Sequence, residues 1–328
     1  MRLEDFDYYL PKSAIAQNPV TPRDHAKLMV IHRDTRKIEH RIFYNITDYL
    51  NHDDLLIVNE TKVIHARLIG HKTTGAKVEV FLLKKIEDKI WQTLVKPGGK
   101  IKVGTEIIFN GAKGKCIEHL DDGTRYFQFD VEDDELEKIG EIPLPPYITK
   151  TTSDPSEYQT VYAKDPASVA APTAGLHFTE ELLEKISAMG VKILKITLDV
   201  GLDTFRPIET DEVEAHKMHT EFYRIPPEVA SEIVNKKGRV FAVGTTVVRT
   251  LESWAKTGNL YGNTSLYIYP PYEFKVVDAM ITNFHIPKSS LIVLVSAFAG
   301  RDLVMEAYKL ALENEYRFFS FGDACLFI

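Results

Sequence analysis

The sequence predicts an α/β protein, a mixed-sheet or barrel-like catalytic body interrupted by a small inserted antiparallel all-β barrel. Three observations predict it. Over residues 63–129, short apolar runs are split by turn signals at Thr74-Gly75, Pro97-Gly98-Gly99, Asn110-Gly111 and Asp122-Gly123, the texture of a small barrel or sandwich. From Tyr158 onward, strand-length apolar runs alternate with helical periodicity, as in an α/β layer. Residues 61–120 hold 12 Lys and Arg against 5 Asp and Glu, a local +7 in a chain whose net charge is −7. That asymmetry fits a nucleic-acid-facing module on an acidic body, although lysines on the solvent face of a β domain give the same pattern. The predicted bounds are 1–62 with 145–328 for the α/β domain, and 63–144 for the basic barrel.

The elements follow in order. Residues 26–32 and 54–58 read as strands, with helical or irregular structure over 43–50 between them. The proline-rich stretch 140–147 closes the barrel as an extended return. Thr179-Glu180-Glu181 reads as an N-cap and acidic first turn; Leu182, Leu183 and Ile186 follow at helical spacing, and Gly190 ends the helix. A strand over 191–200 comes next. Pro226-Pro227 opens a helix that stops at Gly238. Strand 240–243 runs through Gly244-Thr245-Thr246 into a helix over 247–256. Strands at 265–269 and 276–281, helices near 289–299 and 301–314, and a last strand at 317–319 complete the chain.

Composition narrows the class. A chain of 44% hydrophobic and 27% charged residues is an ordinary globular protein. Cys116 and Cys325 form no CxxC pair, which points to a reducing compartment and away from a cysteine-built zinc site. The start Met1-Arg2-Leu3-Glu4-Asp5 is acidic with no apolar signal region, and the longest apolar run, 291–299, is too short to span a bilayer. The expectation is a cytoplasmic protein with no membrane partner. Neither GxGxxG nor a phosphate loop is present, since Pro97-Gly98-Gly99-Lys100 lacks the required spacing.

The most informative stretch is Ala170-Ala171-Pro172-Thr173-Ala174-Gly175-Leu176-His177-Phe178, a small-residue loop presenting a histidine where a helix begins. Small residues admit a ligand close to the backbone, and a helix N-terminus favours anions. Downstream stand 200–207, His216-Lys217-Met218-His219, 242–249, Thr282-Asn283-Phe284-His285, 296–300 and 316–324. In this order and spacing the motifs resemble the S-adenosylmethionine:tRNA ribosyltransferase-isomerase family of the queuosine pathway. The resemblance begins at Phe6-Asp7-Tyr8, passes through Gln17-Asn18-Pro19 and Arg23-Asp24, and reaches the C-terminus.

The resemblance implies a two-domain build and an unusual reaction. The ribosyl part of S-adenosylmethionine goes to the aminomethyl nitrogen of a 7-deazaguanine base in a tRNA anticodon, and adenine and methionine leave. The implied partners are S-adenosylmethionine and tRNA bearing a 7-aminomethyl-7-deazaguanine wobble base; the expected working unit, a monomer, is not read from the resemblance. No cofactor is implied, because S-adenosylmethionine is a consumed substrate, and no metal. Three positions depart from the family pattern: Asp199 stands where histidine is expected, and Asp203 and Ala167 where glycine is expected.

Candidate roles follow. His177 is the first acid–base candidate, with ligand positioning or packing as alternatives. Asp199 can accept a proton at lower intrinsic pKa than histidine. His219 joins them; with His216 at i, i+3 and Glu212 or Glu221, it also permits a metal-hydrolase reading. Thr173 and Gly175 line the loop. Thr245 and Thr246 suit the carboxylate or ribose of S-adenosylmethionine, or simply cap a helix, and Arg249 suits a carboxylate. Asn283 and His285 end a strand; Arg206, Arg317 and Asp323 lie at element ends. Arg317 can instead anchor the C-terminus. Asp323 either shapes its turn or reads the edge of the modified base. Tyr267, Tyr269, Tyr272 and Phe274 offer a stacking surface or a core. A non-catalytic RNA-binding protein using the basic module is the rival from another class.

Overall fold

Leu55-Leu56-Ile57-Val58 is apolar without alternation, as a strand covered on both faces must be, and with Asn59 all five residues of the strand are buried. The computed structural model describes residues 1–201 and 208–328. It divides into two units: Met1–Lys62 with Pro146–Asp165 and Ala171–Ile328, and Val63–Pro145 with Pro166–Ala170. The segment 166–170 thus groups with the inserted unit.

Strands β1 (Lys27–Ile31), β2 (Ile38–Ile42), β3 (Leu55–Asn59) and β4 (Thr61–Val63) come first. The barrel strands are β5 (Arg67–Lys72), β6 (Lys77–Glu87), β7 (Ile90–Lys96), β8 (Glu106–Ile108), β9 (Lys113–His119) and β10 (Arg125–Phe129). Then come α1 (Asp133–Ile139), β11 (Asp165–Ser168), α2 (Glu180–Ala188), β12 (Lys192–Leu198), β13 (Glu221–Arg224), α3 (Pro227–Val234) and β14 (Val240–Val243). The chain ends with α4 (Thr245–Thr257), β15 (Tyr261–Thr264), β16 (Ala279–Asn283), α5 (Ser290–Ala299), α6 (Arg301–Glu313) and β17 (Ala324–Phe327).

The first unit holds a nine-stranded sheet ordered β15-β13-β12-β3-β14-β16-β17-β1-β2. Its centre, β12-β3-β14-β16, is parallel throughout, and the flanks are mixed; the sheet is open rather than barrel-like. Alternate residues Leu28, Val30, Leu56, Val58, Phe241, Val243, Ile281 and Leu326 join one core, as the period of two requires. Phe178, Leu182 and Ile186 pack against the same core. Thr179 caps α2 as predicted, its side chain accepting from the Leu182 N–H.

Three sequence expectations shift here. Residues 265–269 form no strand: the Leu266 carbonyl accepts from Arg249 Nε at 3.2 Å, and β15 lies earlier, at 261–264. The strand expected at 276–281 starts at Ala279, because the N–H groups of Lys275, Val276 and Val277 donate to the buried Glu252 carboxylate. The last strand is β17, not 317–319. Asp323 accepts from the backbone N–H groups of Arg317 and Lys27, which holds 317–322 as a loop.

The second unit is a closed six-stranded antiparallel barrel, ordered β10-β7-β6-β5-β8-β9. Leu68, Val78, Val80, Val95, Ile107 and Phe127 fill it. The predicted basic character holds for 61–120 only. Across 63–144 there are 13 Lys and Arg against 14 Asp and Glu, because α1 and its flanks are acidic. Lys85 pairs with Asp133 and Lys89 with Glu132, and the Trp91 indole donates to Asp133 at 2.9 Å. Lys85 and Lys89 are therefore neutralised by the start of α1.

Candidate active site

Parallel strands gather their carboxyl ends on one edge, which is where open α/β sheets bind ligands. Here that edge carries Asp199 after β12, Gly244-Thr245 after β14 and Asn283 closing β16. Two side-chain clusters occupy it.

The first is built around Asn283. The Phe319 carbonyl can only accept, so the Asn283 Nδ2 that lies 3.2 Å from it fixes the amide's orientation. The same Nδ2 donates to His177 Nε2 at 3.1 Å, and Thr173 Oγ1 donates to Asn283 Oδ1 at 3.1 Å. His177 is therefore a neutral imidazole with its proton on Nδ1. Its ring lies 5.0 Å from that of Phe43. Burial, followed by the positive charges of Arg317 and Arg23, pushes its pKa down to about 3. Gly175 is required by close approach: a Cβ there would sit 1.9 Å from the Tyr162 hydroxyl.

The second cluster is a pocket at the start of α4, lined by His216, Met218, His219, Glu221, Thr245, Thr246, Arg249, Tyr267 and apolar residues of α5. Arg249 forms an ion pair with Glu221. Burial, then His219, lowers the pKa of His216, whose ring is 5.3 Å from that of Tyr267. Gly244, at φ +93°, takes the left-handed turn that opens α4. A Cβ on it would lie 3.6 Å from the Ala174 methyl, so the two clusters adjoin through the loop that carries His177.

The remaining candidates lie apart. Asp199 does not line the pocket. Burial and then Asp165 raise its pKa to about 6, against the opposing pull of Arg224. His285 points into the core: Thr282 Oγ1 and Tyr308 Oη each lie 3.2 Å from a ring nitrogen, and burial lowers its pKa to about 3. Both Asp323 oxygens already accept, Oδ2 from the Arg317 N–H and Oδ1 from the Lys27 N–H and Arg317 Nη2. Arg317 Nη1 also donates to the Asn18 carbonyl. These two residues pin the C-terminal loop. Arg206 and Asp203 lie outside the described residues. The aromatic set splits: Tyr267 and Tyr269 adjoin at 5.1 Å, whereas Phe274 packs on Phe298 at 4.8 Å. Among the described residues no three His, Cys, Asp or Glu side chains gather at metal-binding range. No helix of the described residues is long and apolar enough to cross a membrane.

A family model described as queuosine biosynthesis protein matches residues 3–327. The chain belongs to that family. A relative from Thermosipho melanesiensis named S-adenosylmethionine:tRNA ribosyltransferase-isomerase is 53% identical over 332 residues, 99% of each chain. One of the same name from Thermotoga maritima is 52% identical over 337 residues, all of both chains. The crystal structure of an S-adenosylmethionine tRNA ribosyltransferase from Thermotoga maritima is also similar, at TM-score 0.59 and 42% identity, covering 99% of this chain and 100% of that one.

Within this member of the queuosine biosynthesis family, contacts give weight to residues that the motifs left aside. Glu221, weighed only as a metal ligand, is the partner of Arg249. Tyr162, which shapes the loop at Gly175, carried no sequence signal. Neither did Glu252, which the fold buries on α4.

Proposed function

We propose that this protein transfers the ribosyl group of S-adenosylmethionine to the aminomethyl nitrogen of a 7-aminomethyl-7-deazaguanine wobble base in tRNA. Isomerisation gives the epoxycyclopentanediol of epoxyqueuosine, and adenine and methionine leave. The observation that carries this reading is identity near one half over the full length of relatives bearing that name. S-adenosylmethionine is consumed, so no resident cofactor takes part; the setting is the cytoplasm and the working unit a monomer.

The sulfonium acidifies the adjacent C5′–H, and a base must take that proton. Asp199 suits the task. It stands at the ligand-binding edge of the sheet, and burial and its acidic neighbour raise its pKa to about 6, close to neutrality. That value approaches the one an unperturbed histidine would have at this position. His177 does something else. Its Nε2 lone pair is engaged by Asn283 and burial keeps the ring neutral, so it supplies an Nδ1–H donor for substrate oxygen or nitrogen.

The test is adenine release from S-adenosylmethionine by the purified protein, with modified-base tRNA and with a guanine-bearing control. Release with the modified tRNA alone is expected. Methyl transfer, or no adenine with either RNA, would overturn the reading in favour of an RNA-binding protein.

A further inference from the structure

Three buried polar atoms line the pocket at the start of α4 without a partner among the described residues: Arg249 Nη2, Thr246 Oγ1 and Tyr267 Oη. Leaving one such group unsatisfied costs about 1–3 kcal/mol, more when it is charged. Three in one pocket is more than a fold retains for packing alone. The Arg249 side chain is only 7% exposed, and its other donors are committed, Nε to the Leu266 carbonyl and Nη1 to Glu221. Nη2 is therefore a donor without a partner among the described residues.

We propose that Arg249 Nη2, Thr246 Oγ1 and Tyr267 Oη bind the α-carboxylate of the methionine arm of S-adenosylmethionine. The proposal rests on the reading of the protein as a consumer of that substrate. Guanidinium is a donor-only group whose fork matches an oxyanion, and Thr245 and Thr246, the first residues of α4, line the same pocket. Burial raises the Tyr267 phenol's pKa, so the hydroxyl stays a donor. Met218, Ile268, Leu291 and Leu294 form the apolar wall for the methylenes and sulfonium methyl.

Charge chooses between two sources of oxyanion, the amino-acid end of S-adenosylmethionine and a phosphate of the RNA. Arg249 is already neutralised by Glu221 at its side. A phosphate brought there adds net negative charge beside a buried carboxylate. An amino-acid end is a zwitterion with no net charge: its carboxylate meets Arg249, and its ammonium is attracted to Glu221. The neutral pair thus matches a neutral ligand end.

Thr246→Ala and Tyr267→Phe test this cleanly, because the hydroxyls they remove have no hydrogen-bond partner among the described residues. Each is expected to raise the KM for S-adenosylmethionine about 5- to 10-fold, and to affect KM more than kcat. Each should weaken competition by L-methionine and leave competition by 5′-methylthioadenosine, which lacks the amino-acid end, as in the wild type. An unchanged KM in both variants overturns the proposal. So does an equal loss against 5′-methylthioadenosine, or stronger competition by inorganic phosphate than by L-methionine. Absence of adenine release by the wild-type protein would instead overturn the underlying reading.

Discussion

At Asn283 a single amide links the chemistry of two other side chains. Held by Thr173 and the Phe319 carbonyl, it commits His177 to one tautomer and to neutrality. That buried neutral state has a measurable signature. His177 and His285 both titrate near 3 in the folded protein, against about 6.5 when unfolded. Below pH 6.5 the unfolded chain binds more protons, so stability falls as pH drops from 6.5 toward 3. The loss is roughly 3 kcal/mol per histidine at pH 4. Asp199 acts in the opposite sense. Its folded pKa of about 6 exceeds the unfolded value, so between about pH 4 and 6 the folded form binds more protons and stability falls as pH rises. Screening at this partly exposed carboxyl leaves about 1 kcal/mol. Denaturant midpoints against pH should show a steep acid limb that His177→Gln flattens. Asp199→Asn should gain stability at pH 7.

Among the elements, Glu252 on α4 shows how one side chain overrides local propensity. Its carboxylate accepts the N–H groups of Lys275, Val276 and Val277, so a β-favouring stretch is held as a loop and β16 begins at Ala279. Glutamine offers one acceptor oxygen and turns an amide N–H toward those donors. Glu252→Gln should therefore cost about 2–4 kcal/mol, read as a fall in the urea midpoint at constant m. Elements with their own punctuation were legible in the sequence: α2 by Thr179 and Gly190, α4 by the glycine before it, the barrel by its turns. Segments 265–269, 276–278 and 317–319 were not. Their backbone groups bind the side chains of Arg249, Glu252 and Asp323, partners that lie outside each segment. The site was legible as motifs, whereas the division into an Asn283 cluster and an Arg249 pocket needed the sheet order. The barrel makes its own prediction. The register places Lys113, Ile108, His71 and Lys77 side by side on β9, β8, β5 and β6, all exposed. Lys77→Glu with Lys113→Glu should weaken tRNA binding about tenfold at low salt, and reduce the slope of log K against log salt by about 2.

For the molecule as a whole, charge sorts into local parts: an acidic body, a basic strand face and an acidic α1 that offsets it within the barrel. Legibility at this scale came from the order of motifs along the chain, since net charge by itself argued against an RNA partner. The sheet order carries a further consequence, for synthesis. All six barrel strands have been made once residue 129 emerges, and each pairs with neighbours close in sequence. Strand β1 is different: β2 follows it at once, but its other partner is β17, with Leu28 opposite Ala324. At ribosomal rates of about 5–20 residues per second, the apolar segment Leu28-Met29-Val30-Ile31 waits roughly 15–60 s for that partner. The barrel can fold on the ribosome during that interval. The nine-stranded sheet is complete only once β17 has been made, so one edge of the nascent β1 stays open to a holding chaperone until then.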